Sequence, residues 1–236
     1  MKKISIIIAA KSKDKKLKEC LRSIDNQDHP DKEVLVITEG TPESAKAIGL
    51  KKAKGEIVCF VASDCEFTSP ETFTNVLKLM TCYRKERVIG AFSMRYHYEP
   101  KDPILNRYFA LFGFNDPVPF YLGKCDRTTY YNKGYCGRAT YKKRVPTLGD
   151  NGFFINRKIL MRADIEHYSH IDVTEDLRKL GFYEYVLMPE AIHHKTGDSL
   201  WLWIRKRFRY AESLNQNRRW KMLSGCVDFL KLLLFI

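Results

Sequence analysis

The first hundred residues alternate between short apolar runs and segments whose apolar residues recur at helical spacing. The apolar runs predict strands at residues 4–9, 33–38, 56–62 and 88–94. The spaced segments predict helices at residues 15–24, 44–53 and 69–83. Short connections between alternating strands and helices are typical of right-handed crossovers, which make neighbouring strands parallel. The pattern therefore predicts an α/β fold with a mainly parallel central sheet and helices on both faces.

The second half of the chain breaks this alternation. A helix predicted at residues 104–112 is followed by a long irregular segment, rich in Tyr, Gly, Lys and Arg, that ends near residue 149. Ordered elements then return, with strands predicted at 152–155 and 185–188 and helices at 157–161, 172–180 and 200–210. We find no internal repeat. The pattern favours one domain over residues 1–210, followed by a basic and apolar C-terminal segment over residues 211–236.

Composition narrows the class of protein without identifying it. The chain has 236 residues, of which 44% are apolar and 29% are charged, and these are values of a globular protein. Its seven cysteines are scattered, without a paired C-x-x-C. A disulfide scaffold or a structural zinc site is therefore not expected, and a reducing compartment such as the cytoplasm is favoured.

The positive charge is concentrated in two segments. The chain has a formal net charge of +13. Residues 121–149 contain seven Lys and Arg against one acid, and residues 201–221 repeat the same count. Such clusters indicate an anionic partner, either nucleic acid, a phosphorylated substrate or an acidic membrane surface. A solvated basic face is the simpler alternative.

Carboxylates follow the second and third predicted strands. Ligands of such sheets bind at the carboxyl ends of the strands, yet no glycine-rich dinucleotide or P-loop motif follows any of them here. Asp64 and Glu66 are two residues apart, so in extended chain their side chains point to the same side and can share one hard divalent cation. Alternatively, Asp64 caps a turn and Glu66 is solvated.

Four motifs in the first 66 residues resemble family-2 glycosyltransferases. The first strand and its helix are followed by Asn26-Gln27 and Pro30, like the family's N-Q-x-x-P turn. Thr38-Glu39-Gly40-Thr41 is similar to Asp-Asp-Gly-Ser, and the stretch from Ser44 to Glu56 is similar to A-R-N-x-G…A-x-G-E. Asp64-Cys65-Glu66 then falls where the family has its D-x-D metal motif. Two departures are Ala in place of the Pro after the first strand, and Glu39 in place of Asp.

The resemblance implies the glycosyltransferase A fold, a nucleotide-diphosphate sugar donor and Mn²⁺ or Mg²⁺. Residues 1–98 would be the nucleotide-sugar-binding half and residues 99–210 the acceptor-binding half. The donor would contact residues at the strand ends and in the second helix, namely Ala9, Lys11, Glu39, Lys46 and Asp64. Asp64 and Glu66 would also hold the metal.

An inverting enzyme also needs a base that takes the proton of the acceptor hydroxyl. The segment from Asp172 to Asp176 resembles the family's acidic helix start. We favour Asp172 as the base and keep Asp176 as the alternative. Asp172 and Glu175 also have the spacing of a capping box, so a plain helix cap remains the simpler interpretation.

Three further groups are predicted from the resemblance. His194 would close the metal site, although a lone His is more often structural. Arg205 and Arg209 lie four residues apart on one predicted helix and would bind the diphosphate or face a membrane. Asp150 and Asn151 lie where the acceptor side begins and would contact the acceptor, unless they only form the turn before Gly152.

The last residues suggest a membrane surface. Residues 223–236 are strongly apolar and follow the basic, aromatic sequence at residues 218–221, which is typical of a cytoplasmic membrane interface. A truncated spanning helix or a helix that docks on the domain is also compatible with this pattern. We expect an inverting glycosyltransferase at the cytoplasmic face of the membrane, or in the cytoplasm, acting on a glycan or lipid-linked hydroxyl acceptor. The alternatives are a nucleic-acid-binding protein that uses its two basic segments, and a nucleotidyltransferase.

Overall fold

The computed structural model describes residues 2–93, 96–112, 137–143, 145, 151–169 and 172–205. All statements about the structure below concern these residues. Two of the predicted site residues, Asp150 and Arg209, lie outside them, as do most of the irregular segment and residues 206–236.

The centre of the fold is a mixed, seven-stranded sheet. Its strands are β1 (Ile4–Ala9), β2 (Lys32–Ile37), β3 (Ile57–Val61), β5 (Gly90–Ser93), β6 (Gly137–Thr140), β7 (Asn151–Asn156) and β8 (Glu184–Met188). They are arranged in the order β2-β1-β3-β7-β5-β8-β6. Five strands run in one direction, whereas β7 and β6 run against their neighbours. The predicted α/β class with a mainly parallel sheet is confirmed.

Helices cover both faces of this sheet. They are α1 (Lys15–Asp25), α2 (Pro42–Lys52), α3 (Thr72–Cys82), α4 (Ile104–Phe112), α5 (Arg157–Leu160) and α6 (Val173–Lys179), and residues 200–205 are also helical. The alternation along β1 explains the two layers. Ile4, Ile6 and Ile8 pack in one core with α1 and α3, and Ile7 packs in the other core with α2, α5 and α6. Because β1 is buried on both faces, its sequence is continuously apolar.

Three strands were not predicted. A two-stranded sheet pairs β4 (Cys65–Phe67) with β9 (Ile192–His194), and β6 lies within the segment that was predicted to be irregular. That prediction was wrong at β6. Both β4 and β9 contain only three residues, and β6 is an edge strand without buried residues, so none of them has a periodic apolar pattern.

The N-Q-x-x-P turn anchors β4 and its following loop to α1. Gln27 is 5% exposed, and its amide nitrogen donates to the carbonyl oxygens of Ser23 and Ser69, while its side-chain oxygen accepts from the backbone N–H of Phe73. The hydroxyl of Ser23 in turn accepts from the backbone N–H of Phe67 in β4. This turn therefore has a structural role, since it fixes the strand that immediately follows Asp64.

Candidate metal and donor site

The carboxyl ends of β1, β2 and β3 meet at one edge of the sheet. Ala9 pairs with Ile37 at the end of β2, and the backbone N–H of Ala10 donates to the carbonyl oxygen of Ile37. Lys11 and Glu39, which follow these strands, are exposed. Gly40 has φ = 76°, a left-handed conformation that glycine adopts without strain, and it turns the chain into α2. Lys11 and Glu39, two of the predicted donor-binding residues, are therefore accessible to a ligand.

Asp64 and His194 come together beside this edge. His194 Nε2 lies 3.4 Å from Asp64 Oδ1, and the side chains are only 8% and 15% exposed. The backbone N–H of Lys195 donates to the carbonyl oxygen of Asp64 at 2.8 Å, which fixes β9 against the turn that carries Asp64. The structure thus brings together two of the three predicted metal-binding side chains, although their predicted roles stay predictions.

One of the two nitrogens of the buried His194 ring lacks a hydrogen-bond partner. Its Nδ1 atom is fully buried and has no hydrogen-bond partner. An unsatisfied polar atom in a protein interior costs about 1–3 kcal/mol. The ring nitrogen that faces Asp64 is Nε2, so a metal held by both side chains would bind Nε2 and would leave Nδ1 without a partner.

Cys65 is a third potential metal ligand that the sequence analysis did not propose. The ligand atoms of Asp64, Cys65 and His194 lie within 4.8 Å of one another. The Cys65 thiol lies 3.4 Å from Asn151 Oδ1, and the Asn151 amide nitrogen donates to the Tyr96 hydroxyl at 2.6 Å. A carboxylate with an imidazole fits Mn²⁺, and the neighbouring sulfur makes the donor set softer than Mg²⁺ prefers.

Asn151 is an internal hydrogen-bonding residue in this structure. It is 6% exposed, and both ends of its amide are engaged, by Cys65 and by Tyr96. It lies at the start of β7 and connects that strand to β4. Its predicted contact with an acceptor stays a prediction, while the structure shows that its side chain links Cys65, the residue after Asp64, to Tyr96.

Glu66 lies on the other face of β4. In the β4–β9 pair, Cys65 is opposite His194 and Glu66 is opposite His193, so the side chains of Glu66 and His194 point to opposite faces. The Glu66 carboxylate forms an ion pair with the Lys195 ammonium group. Its predicted role as a metal ligand stays a prediction, and in this structure its partner is a lysine.

Lys195 was not identified from the sequence. Burial by itself would lower its pKa, but hydrogen bonds to Glu66 and Glu19 outweigh that effect and the pKa is raised. The same carboxylates affect a nearby thiol: burial, together with the charges of Asp64 and Glu66, raises the pKa of Cys20 to about 12. Cys20 is therefore an inert, protonated thiol at neutral pH.

Lys46 is an unusual residue for a helix facing a sheet. It is 2% exposed, and its ammonium nitrogen lies 3.4 Å from Glu43 Oε1 in the preceding turn of α2. Lysine is rarely this deeply buried unless its charge is compensated. The predicted contact of Lys46 with the nucleotide stays a prediction.

The candidate base Asp172 is buried at the start of α6. It is 3% exposed, and its side chain makes no capping hydrogen bond, although it occupies the predicted N-cap position. Glu175 is instead engaged by Arg178, whose Nη2 lies 2.6 Å from Glu175 Oε1. The interpretation of Asp172 as a plain side-chain cap is therefore not supported, and Asp176, one turn further, is partly exposed.

The segment before α6 reaches the carboxyl end of β3. The Tyr168 ring lies 5.6 Å from the ring of Phe60, which is the fourth of the five residues of β3. The backbone N–H groups of Asp172 and Val173 donate to the carbonyl oxygen of Ser169. Asp172 thus follows a short turn that starts next to the strand leading to Asp64. Arg205 is exposed at the end of the helical residues 200–205.

Comparisons with known proteins identify the fold. No protein-family model matches the sequence, and no curated protein matches it. Among solved structures, the mannosyltransferase PcManGT from Pyrobaculum calidifontis, in complex with GDP-Man and Mn²⁺, is similar at a TM-score of 0.50 and 15% identity, over 88% of this chain and 64% of that protein. GalNAc-T7 with UDP, GalNAc and Mn²⁺ is similar at a TM-score of 0.50 and 12% identity, over 82% and 44%.

A third similar structure is that of S. aureus TarS 1–349, at a TM-score of 0.45 and 16% identity, over 78% of this chain and 60% of that protein. The chain thus spans less than two thirds of each of these proteins. Likeness at this level of identity defines the fold alone. The predicted glycosyltransferase A fold is confirmed.

Proposed function

We propose that this protein is an inverting, metal-dependent glycosyltransferase of the family-2 type, which moves a sugar from a nucleotide-diphosphate sugar to a hydroxyl group. The observation that carries the proposal is the convergence of the Asp64, Cys65 and His194 ligand atoms, with His194 Nε2 facing Asp64, beside the carboxyl ends of β1–β3. PcManGT and GalNAc-T7, whose structures contain nucleotides and Mn²⁺, support it through their shared fold.

The metal would be held by Asp64 and His194, with Glu66 as a further predicted ligand. A divalent cation there would neutralise the negative charge of the nucleoside diphosphate that leaves when the sugar is transferred. The donor set favours Mn²⁺ over Mg²⁺ because it includes an imidazole beside a thiol. Arg205 and Arg209 would add positive charge on the diphosphate.

The nucleoside would lie over the edge formed by Ala9, Lys11 and Glu39, with Lys46 behind it. The exposed Glu39 carboxylate can accept hydrogen bonds from the base or the ribose. Because such contacts are made equally before and during the reaction, they would set donor affinity more than the rate of transfer.

The acceptor hydroxyl would lose its proton to a carboxylate. Asp172 is our choice because it is buried and its side chain forms no helix cap, while Asp176 remains the alternative. As the acceptor oxygen attacks the sugar carbon on the face opposite the leaving diphosphate, a base on the acceptor side removes the proton and the configuration inverts.

The test is a panel of nucleotide-diphosphate sugars incubated with Mn²⁺ and scored for hydrolysis or transfer. Asp64→Asn keeps the shape of the side chain and removes its charge, so we expect activity to fall by about a hundredfold or more. Asp31→Asn, an exposed change at the opposite edge of the sheet, is the matched control. Full activity of Asp64→Asn, or no activity with any donor in the panel, would contradict the proposal.

A membrane surface is the proposed location, at the cytoplasmic face. Five of the exposed large apolar side chains lie on α4 and residues 200–205: Ile104, Leu111, Leu200, Trp201 and Leu202. The two elements touch, since the rings of Phe109 and Trp203 lie 5.9 Å apart. Basic residues follow in the sequence at 205–221. Apolar and basic groups together suit an anionic bilayer surface and an acceptor carried on a lipid.

Vesicle flotation tests this location. The double variant Trp201→Ser with Leu202→Ser should bind anionic phosphatidylglycerol vesicles about tenfold more weakly than the unmodified protein. The pair Met161→Ser and Leu180→Ser removes exposed apolar groups elsewhere and should leave binding unchanged. Equal binding by both double variants would contradict the proposed surface. Among the residues that the structure describes, no helix is long and apolar enough to cross a membrane.

The nucleic-acid alternative is not favoured. It leaves the buried Asp64–His194 pair without a role, and the fold is shared with enzymes whose structures contain nucleotides and Mn²⁺. A nucleotidyltransferase would use similar metal chemistry, and its products distinguish it from a glycosyltransferase. It would release inorganic diphosphate and leave the nucleotide attached to the sugar.

A further inference from the structure

Three side chains of different chemistry converge beside the carboxyl end of β3. A carboxylate oxygen of Asp64, the sulfur of Cys65 and a ring nitrogen of His194 all lie within 4.8 Å of one another. Among the residues that the structure describes, no other group of three Asp, Glu, Cys or His side chains brings its ligand atoms this close. The position of Cys65, which is fully buried, therefore makes it part of the candidate metal site.

The distance between Asp64 and His194 fits two ligands of one tetrahedral ion. Asp64 Oδ1 lies 3.4 Å from His194 Nε2. Zinc binds such atoms at about 2.0–2.2 Å, so two of them in a tetrahedron stand roughly 3.3–3.6 Å apart. A thiolate at about 2.3 Å from the ion would stand roughly 3.6 Å from each of them. The Cys65 sulfur thus has to approach by about 1 Å at most, and a χ1 rotation of about 30° supplies this movement.

The buried wall behind Cys65 can support a thiolate as well as a thiol. The Cys65 thiol donates to Asn151 Oδ1 at 3.4 Å, and the Asn151 amide nitrogen donates to the Tyr96 hydroxyl at 2.6 Å. An amide has a donor end and an acceptor end, and a hydroxyl can act as either. If the Asn151 amide turns over, its nitrogen donates to the sulfur and its oxygen accepts from the Tyr96 hydroxyl. Both hydrogen bonds are then kept when a metal replaces the thiol proton.

The charges and the ligand types favour a cation that binds sulfur. A carboxylate and a thiolate carry two negative charges, which one dication neutralises, and buried charges are costly unless they are compensated in this way. Thiolate and imidazole ligands select soft or borderline ions such as Zn²⁺, whereas Mn²⁺ prefers oxygen ligands. Three protein ligands also leave the fourth position of a tetrahedral ion open for water or a phosphate oxygen.

We propose that Cys65 is a metal ligand and that Asp64, Cys65 and His194 together bind a thiophilic dication such as Zn²⁺ or Cd²⁺. This ion competes with Mn²⁺ for Asp64 and His194. The sulfur binds as the thiolate, and its proton passes to water as the metal–sulfur bond forms. The inference rests on the metal site of the proposed function and adds a ligand, Cys65, that determines which metal occupies it.

The test is a Cd²⁺ titration of the metal-free full chain, followed by the ultraviolet charge-transfer absorption of the cadmium–thiolate bond. The unmodified protein should develop this absorption as the site fills. Cys65→Ser should lose it and bind Cd²⁺ about a hundredfold more weakly, because a hydroxyl is a poor ligand for a soft ion. Serine keeps a hydroxyl that can donate to Asn151, so the variant should fold. Its Mn²⁺ affinity, measured from the electron paramagnetic resonance of free Mn²⁺, should change by less than about threefold.

Further variants identify the partners of Cys65. Asp64→Asn and His194→Ala should each weaken Cd²⁺ binding by about tenfold or more, since each removes a proposed ligand. Cys82→Ser removes an exposed thiol at the end of α3 and is the matched control, which should leave Cd²⁺ binding unchanged. Full charge-transfer absorption by Cys65→Ser would mean that other thiols bind the ion, and it would overturn the inference. So would unchanged Cd²⁺ affinity of both Asp64→Asn and His194→Ala.

Competition between metals separates this inference from the proposed function. Zn²⁺ should displace Mn²⁺ from the unmodified protein at a concentration at least about tenfold lower than from Cys65→Ser. Equal displacement from both proteins would overturn the role of Cys65 and leave Mn²⁺-dependent glycosyl transfer in place. Cadmium absorption that depends on Cys65, in a protein that transfers no sugar from any donor, would overturn the proposed function and leave the thiolate site in place.

Discussion

At the scale of single residues, two neighbouring histidines have different surroundings. His194 lies 3.4 Å from Asp64 and has a buried nitrogen without a partner, whereas His193 forms a 2.7 Å hydrogen bond with Asp102. We predict that His194→Ala weakens Mn²⁺ binding by about tenfold or more, since it removes the proposed ligand. The measurement is Mn²⁺ titration followed by electron paramagnetic resonance.

The control for this prediction is His193→Ala. It breaks the contact with Asp102, so it should lower the free energy of unfolding by about 1–3 kcal/mol while leaving Mn²⁺ affinity unchanged. If His193→Ala weakened Mn²⁺ binding as much as His194→Ala, the effect would come from the strand they share. The assignment of His194 as a ligand would then be wrong.

At the scale of secondary-structure elements, Glu33 connects β1, β2 and the residues before β3, at the edge of the sheet opposite the candidate site. Its carboxylate, at the start of β2, accepts hydrogen bonds from the Ser5 hydroxyl in β1 and from the backbone N–H groups of Lys54 and Gly55 before β3. Burial alone would raise the pKa of Glu33, but these hydrogen bonds outweigh it and hold the pKa below its usual value.

A lowered pKa makes the contribution of Glu33 depend on pH. The stabilisation is fully present above the carboxyl pKa of the unfolded chain, near 4.5, and is lost as the pH falls through the lower folded-state value. We predict that Glu33→Gln lowers the free energy of unfolding by about 1–2 kcal/mol at pH 7 and by less below pH 4. Urea unfolding at both pH values measures this. The exposed Glu56→Gln is the control, and a loss independent of pH would contradict the prediction.

Elements with a continuous local pattern could be predicted, and those made by pairing could not. The strand β1 is buried on both faces and was predicted at its observed bounds, as was α4. The short strands β4 and β9 exist because Cys65 pairs with His194, a contact between distant parts of the sequence. Asp64 and His194 could be identified because they lie in sequence motifs. The Lys195–Glu66 ion pair could not, because it is a contact between distant residues that no local pattern encodes.

At the scale of the whole molecule, ligand binding and folding are linked. A ligand that binds the folded chain alone, at a hundred times its Kd, stabilises it by about 2.7 kcal/mol. For a chain of this size, that corresponds to a rise in Tm of roughly 5–10 °C. We predict such a shift with Mn²⁺ and the matching nucleoside diphosphate together, and a much smaller one with the nucleotide alone, because the metal neutralises the repulsion between the diphosphate and Asp64.

Asp64→Asn makes this prediction specific. The variant removes the proposed metal ligand and the charge that repels the diphosphate, so the two ligands should no longer act together, whereas Asp31→Asn should behave like the unmodified protein. The net charge of +13 gives any polyanion some affinity for the chain, and that affinity should fall steeply with salt. A shift that oligonucleotides reproduce without Mn²⁺, and that salt abolishes, would mean that the basic segments bind nucleic acid. A shift that needs Mn²⁺ and persists in salt would mean that the metal site binds the nucleoside diphosphate.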